Sequence, residues 1–191
     1  MADGSWYDAD IDRVIISEEQ IREKTEELAK QVAADYADAE GGVLLVCVLK
    51  GAVMFMADFA RALGRTGPSI EMEFMAVSSY GSGTTSSGVV RILKDLDSDI
   101  AGRHVVIVED IVDSGLTLSW LMRYLQSRAP ESVEVVALFR KPEAIKVPVP
   151  TKYVGFDIPS EFVVGYGLDF AERYRELPYV GVLKPEVYAR S

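Results

Sequence analysis

Residues 105–117 read Val-Val-Ile-Val-Glu-Asp-Ile-Val-Asp-Ser-Gly-Leu-Thr and constrain the fold more than any other part of the chain. The first four are apolar and mostly β-branched with no polar interruption. That predicts a strand over 105–108 covered on both faces, the usual state of a strand in a parallel sheet between helices. Two carboxylates, Glu109 and Asp110, follow it, and the turn at Ser114 and Gly115 opens a helical stretch over 115–127. A strand that feeds a helix through a short turn is half of a βαβ unit. A second parallel strand is therefore expected, and 133–139 supplies it.

The same alternation runs upstream. Ser17 with Gln20 three residues later has the form of a capping box, and Ile21, Leu28, Val32 and Tyr36 recur on one helical face. A first helix ending near Gly41 and Gly42 follows. Residues 43–49 are a second continuous apolar run, broken by Lys50 and Gly51. Residues 52–63 predict a helix with Val53, Met56, Phe59, Ala60 and Leu63 facing inward and Gly64 as its stop. In 70–76, Ile70, Met72, Phe74 and Ala76 alternate with Glu71 and Glu73, the period of a half-exposed strand. Residues 78–88 are small and polar apart from Tyr80, and longer than an ordinary connection, which predicts a lid. Beyond 150 only short apolar runs remain, at 153–158, 162–166 and 179–183. The expected architecture is α/β, with a mostly parallel twisted sheet flanked by helices in a single domain over 1–191. A small β-rich subdomain is expected mainly from about 150–191 with part of the N-terminus.

Composition narrows the partners. A net charge of -10 argues against a protein that tracks nucleic acid, because such proteins usually present a basic face. No apolar stretch reaches the roughly 18 residues of a membrane span, and the start of the chain is acidic and polar, so a soluble, cytoplasmic protein is expected. Cys47, the one cysteine, sits in an apolar run and reads as a buried, inert thiol. His104, the one histidine, precedes the core strand and reads as a strand-edge residue.

The chemistry concentrates in 109–117. Ligands of open α/β sheets bind at strand C-terminal ends, and a helix N-terminus there offers backbone N–H groups to a phosphate monoester. Ser114, Gly115 and Thr117 suit that use. The stretch has neither the Gly-Lys-Ser/Thr of a Walker loop nor the Gly-x-Gly-x-x-Gly of a dinucleotide turn. Instead Glu109 and Asp110 stand one step before it, placed to accept hydrogen bonds from a vicinal diol or to hold a metal through water, and both suit a ribose 5-phosphate.

This stretch resembles the phosphoribosylpyrophosphate motif of type I phosphoribosyltransferases. Four other segments resemble the hypoxanthine-guanine branch in the same order: Leu49-Lys50-Gly51, Ser79-Tyr80, Arg140-Lys141-Pro142 and residues 162–169, Phe-Val-Val-Gly-Tyr-Gly-Leu-Asp. Leu116, where some members have lysine, and Gly167, where others have alanine, are small departures. The resemblance implies the type I phosphoribosyltransferase fold and a Mg²⁺-dependent salvage transferase. Such an enzyme converts hypoxanthine or guanine and phosphoribosylpyrophosphate to IMP or GMP and pyrophosphate.

By the same resemblance, Asp113 is the acid/base at the purine N7, while Ser114, Gly115, Leu116 and Thr117 hold the 5-phosphate. Glu109 and Asp110 take the ribose hydroxyls and a first Mg²⁺, and Asp169 lies beside the purine as ligand for a second. Lys50, from a turn whose Leu49-Lys50 peptide is cis in some relatives, would hold pyrophosphate with Gly51, Ser79, Tyr80 and Arg175. Lys141 would read the oxygen at C6, Phe162 would stack on the base, and the Val163 backbone would meet its polar edge. A homodimer or homotetramer is implied. A phosphoribosyltransferase for another base, and a regulator that keeps the fold, are the alternative readings.

Overall fold

The computed structural model describes residues 6–7, 9–65, 67–79 and 90–189. Along the chain run β1 (Ile11–Ile16), α1 (Glu18–Asp35), β2 (Val43–Leu49), α2 (Val53–Leu63), β3 (Ile70–Ser79), β4 (Val90–Lys94), β5 (His104–Val112), α3 (Leu116–Gln126), β6 (Ser132–Arg140), β7 (Tyr153–Asp157), β8 (Val163–Val164), β9 (Val180–Leu183) and α4 (Pro185–Tyr188). A large sheet has the order β4-β3-β2-β5-β6-β7, parallel except for β4, and a small sheet has the order β1-β9-β8.

β2 and the first part of β5 are fully apolar because both faces of the sheet are covered. On one face Val43, Leu45, Cys47, Val106 and Val108 pack against α1 and α2, which contribute Leu28, Val32, Phe55 and Phe59. On the other, Leu44, Val46, Val105 and Ile107 meet Leu118, Leu121 and Leu125 of α3. Burial of this kind is worth roughly 1.5–3 kcal/mol per large aliphatic side chain as an upper estimate.

α1 begins at the expected capping box: Ser17 Oγ accepts from the Gln20 N–H at 3.2 Å, and Gln20 Oε1 accepts from the Ser17 N–H at 2.8 Å. It ends at Asp35, earlier than the glycine pair suggested, because the chain turns at Tyr36. Val53, expected inside, is exposed at the start of α2, and Phe55 is buried in its stead. Met72 also stands in solvent. Ile70 and Phe74 turn toward the α1–α2 core, whereas Met75 and Val77, on the face shared with Glu71 and Glu73, pack into the other core. Residues 153–157 join the large sheet as β7 rather than the small one, so the tail contributes to the small sheet only after that strand, as β8 and β9 beside β1. The expected lid at 78–88 lies almost wholly outside the described residues.

Leu28→Ala, deep under the sheet, is expected to lower stability by about 2–5 kcal/mol, and Ser17→Ala, which removes only the cap, by about 1 kcal/mol. Urea titration followed by circular dichroism measures both; equal losses would mean that the two-layer account of α1 is wrong.

Candidate active site at the sheet switch point

From β2 the chain passes through α2 to β3 on one side, and from β5 through α3 to β6 on the other, so the order of connection reverses between β2 and β5. The two strands stay in register from Val43 opposite His104 to Cys47 opposite Val108. β2 then ends at Leu49, and the chain turns away through Lys50. The Leu49-Lys50 peptide is cis. β5 runs on to Val112, still paired with β6 through Ile111–Phe139 and Val112–Arg140. Glu109 and Asp110 therefore lie within the strand, at the point where its β2 neighbour leaves. The strand is longer than the apolar run alone suggested, because β6 continues to satisfy its backbone.

Glu109 is buried and Asp110 half-buried. Burial first, and then the neighbouring Asp110 charge, push the Glu109 carboxyl well above the ordinary carboxylate range. Asp110 is pushed up to about 6, chiefly by burial, against the lowering effect of the Ile111 N–H, which donates to its Oδ1 at 2.7 Å. Two adjacent buried acids are costly to ionise together and favour a cation beside them.

The turn after β2 is wedged against these acids. A Cβ on Gly51 would lie 1.6 Å from Asp110 Oδ2, and one on Gly167, at φ +98°, would lie 1.9 Å from the Gly51 carbonyl oxygen. Only glycine fits at both positions without displacement of the turn. Gly167 is tied in turn to Arg175: its N–H donates to the Arg175 carbonyl at 2.9 Å, and Arg175 Nη1 donates to the Gly167 carbonyl at 2.7 Å. Arg175 Nη2 pairs with Asp169 at 2.9 Å, and its Nε is buried with no hydrogen-bond partner among the described residues. Lys50 Nζ meets Glu172 at 2.7 Å, and Glu172 also approaches Arg175 at 3.2 Å.

Past Val112 the backbone forms a small hollow of about 170 Å³ lined by Glu109, Asp113, Ser114, Gly115 and Thr117, among others. Gly115 takes φ +78° against the Val147 carbonyl, and the Ser114 carbonyl accepts from the N–H groups of Lys146 and Val147 at 3.0 and 3.1 Å. These contacts fix the turn. The first N–H groups of α3, which have no acceptor within the helix, are thereby presented at its mouth. Gly115 is itself the helix cap, so Asp113 does not serve as one. Its carboxylate instead lies 3.8 Å from Lys141 Nζ.

Asp113 and Lys141 border a cleft of about 250 Å³ together with Asp110, Ile111, Phe162, Val163, Leu168 and Asp169. Lys141 is held by its N–H to the Val112 carbonyl at 2.9 Å and follows Arg140, whose guanidinium clasps both oxygens of Asp157. The structure thus gathers Glu109, Asp110, Asp113, Ser114, Gly115, Thr117, Lys141, Phe162, Val163 and Asp169 around two adjoining hollows, with Leu116 opening α3 and Lys50, Gly51 and Arg175 on their flank. Ser79 ends β3 with only its backbone described, and Tyr80 lies outside the described residues. Ile111, Leu168 and Glu172 were not foreseen. Ile111 was legible as the first apolar residue after the acid pair. Glu172 was hidden in a charge run.

A roomier cleft of about 430 Å³ lies between α1, α2 and residues 175–178. Its charges are largely spent on one another, Arg61 with Asp58 and Arg65 with Glu26, and of the expected site residues only Arg175 borders it. The other expected site residues whose side chains are described border the smaller clefts or lie on their flank.

The chain belongs to the phosphoribosyl transferase family, whose domain model matches residues 16–171. Within that family it is 57% identical over 186 residues to the hypoxanthine-guanine phosphoribosyltransferase of Mycobacterium tuberculosis, a match that covers 95% of this chain and 91% of that one. The hypoxanthine phosphoribosyltransferase of Staphylococcus aureus superposes with a TM-score of 0.90 at 45% identity, covering 97% of this chain and 98% of that one. The Trypanosoma cruzi enzyme, solved in complex with the product IMP, gives a TM-score of 0.87 at 45% identity, covering 93% of this chain and 97% of that one.

A carboxyl whose folded pKa is raised binds its proton more tightly in the native state than in the unfolded chain. Stability therefore falls as pH rises from about 4, the unfolded value, to about 6. Metal-free protein in EDTA is expected to lose melting temperature across that window relative to Asp110→Asn. Parallel melting curves for the two proteins would refute the burial of this carboxylate.

Proposed function

We propose that the chain transfers a 5-phosphoribosyl group from phosphoribosylpyrophosphate to hypoxanthine or guanine, releasing pyrophosphate and giving IMP or GMP. The observation that carries this reading is the juxtaposition of Lys141 Nζ and Asp113 Oδ2, 3.8 Å apart on one cleft. A 6-oxopurine presents O6 and N7 side by side on one edge, O6 as an acceptor and N7, in the free base, able to carry a proton. Lysine offers only donors, so its ammonium suits O6, and the carboxylate beside it suits a proton carried at N7. An adenine would turn a donor toward a donor.

The remaining groups follow the substrate outward. The turn over Ser114, Gly115, Leu116 and Thr117 takes the 5-phosphate through backbone N–H groups and hydroxyls. Glu109 and Asp110 accept from the ribose hydroxyls. Asp113 handles the N7 proton and faces the positive charge that grows on the ribose. Phe162 stacks on the base and the Val163 backbone meets its edge. Lys50, Gly51 and Arg175 hold the pyrophosphate, with Ser79 and Tyr80 of the lid closing over it.

Mg²⁺ suits the acids present. Glu109 and Asp110 would hold a first ion, since a buried acid pair with raised pKa gains most from a nearby cation, and Asp169 would hold a second. Among the described residues no three acidic, histidine or cysteine side chains form a metal-binding group on their own. When bound, the ion supplies charge neutralisation that makes pyrophosphate a better leaving group.

The small sheet, with the segment from Ser160 to its end, acts as the hood over the base within a single functional domain. Val53 and Met54, exposed beside the Lys50 turn, are the contact we assign to a homodimer or homotetramer. A cytoplasmic location completes the reading; no helix among the described residues is long and apolar enough to cross a membrane.

Steady-state turnover with phosphoribosylpyrophosphate, Mg²⁺ and each of hypoxanthine, guanine, xanthine and adenine tests the reading. Hypoxanthine or guanine is expected to turn over and adenine not. Asp113→Asn should lower kcat about 100- to 10,000-fold, and Lys141→Ala should raise KM for the base roughly 10- to 100-fold. Adenine turnover would refute the role of Lys141, and no turnover of any base would refute the assignment.

A further inference from the structure

Phe162 is 38% exposed, a high value for a ring with a proposed part in base binding, and what holds it in place decides how well a base is received. Two aromatic neighbours do so. Phe170 stands edge-on to it, with centroids 5.6 Å apart at 89°, and Tyr188 lies nearly parallel, at 5.2 Å and 20°. Tyr188 does not border the cleft shared by Asp113 and Lys141. It lines the next cleft, which Phe162 and Lys141 also border. The ring is therefore backed by Tyr188 and braced by Phe170, and the surface left over is the one presented to the base.

The backing is anchored to Phe162 itself. The Leu183 N–H at the end of β9 donates to the Phe162 carbonyl at 2.9 Å, and the short helix α4 begins two residues later at Pro185. Lys184 secures that junction from the other side, with its N–H on the Asp10 carbonyl at 2.9 Å and its Nζ on the Ala9 carbonyl at 2.6 Å. Tyr188 thus follows any movement of Phe162 closely, although 26 positions separate them in the chain.

We propose that Tyr188 is a positioning residue for the purine: it forms the outer layer of a base–Phe162–Tyr188 stack and sets the depth at which the base meets Lys141. The proposal rests on the reading that the cleft takes a 6-oxopurine. An aromatic pair is worth enough to shift binding several-fold. When the outer ring is lost Phe162 keeps only the edge-on brace of Phe170, so the base's platform loosens while the phosphate turn and the pyrophosphate turn, on other elements, keep their grip.

The test is a set of KM values for base and for phosphoribosylpyrophosphate, each with the other substrate saturating. Tyr188→Ala is expected to raise KM for hypoxanthine or guanine roughly two- to tenfold with KM for phosphoribosylpyrophosphate unchanged, and Tyr188→Phe to restore the wild-type value. Tyr188→Leu, which keeps apolar bulk without a flat face, should behave like the alanine variant and serves if that variant does not fold. A parallel rise in both KM values, a Tyr188→Phe that fails to rescue, or no change in any variant would overturn the proposal while wild-type turnover left the proposed function standing. A wild type that turns over no 6-oxopurine would overturn both.

Discussion

The site depends on a mismatch of strand lengths. β5 outruns β2 in the sheet, and this is possible only because β6 pairs β5 on its other edge to the last residue. Had β2 continued, its backbone would have covered the space that Glu109 and Asp110 now face. The chain leaves β2 through a turn into α2, and the gap opens at the point where the order of connections reverses, the usual ligand position of such sheets. The acids are therefore held by the sheet and not by a loop, with the precision that a hydrogen-bonded strand confers.

Around that gap, contact is made by backbone. Gly51 and Gly167 are two layers of main chain pressed between Asp110 and Arg175, so a shift of the small sheet is transmitted directly to the turn that carries Lys50. The side chains on the flank are held more loosely. Lys50 and Glu172 are both more than 60% exposed, and a surface pair of that kind is worth only about 0–1 kcal/mol. A bound anion with more charge than one carboxylate can displace Glu172 at little cost. The rigid part of the site defines where the substrate goes, and the loosely held cation is available to follow it.

How much of this could be read beforehand follows from the range of each determinant. β2 was legible to the residue, because a covered strand must be apolar throughout and Lys50 ends it. The acid pair and the Gly115 turn were legible from their place after an apolar strand, whereas Lys141 came only from the resemblance of its segment to the family. The run of β5 through its acids was not, because a strand's length is set by its neighbour β6 as much as by its own composition. Val53 and Met72 were misplaced for a related reason: periodicity gives the face of an element but not whether anything covers that face. Tyr188 gave no signal at all. Its role comes from a contact with Phe162 across the small sheet, and a short polar tail carries no pattern that announces such a contact.

On the proposed function, selectivity in this arrangement comes from charge and not from shape. The walls of the cleft supplied by Ile111, Phe162 and Leu168 are apolar, and such walls discriminate poorly between ligands that differ by one small polar group. A buried donor that must be satisfied discriminates far better. Lys141 is that donor: its side chain is 13% exposed, and its one close carboxylate, Asp113, is 58% exposed and can turn toward a ligand. A base with oxygen at C6 satisfies the ammonium and brings N7 to the carboxylate in the same motion. A base with an amino group there leaves the ammonium without its acceptor and N7 misplaced, so recognition and proton transfer fail together. The separation of the pair thus ties the choice of base to the chemistry performed on it.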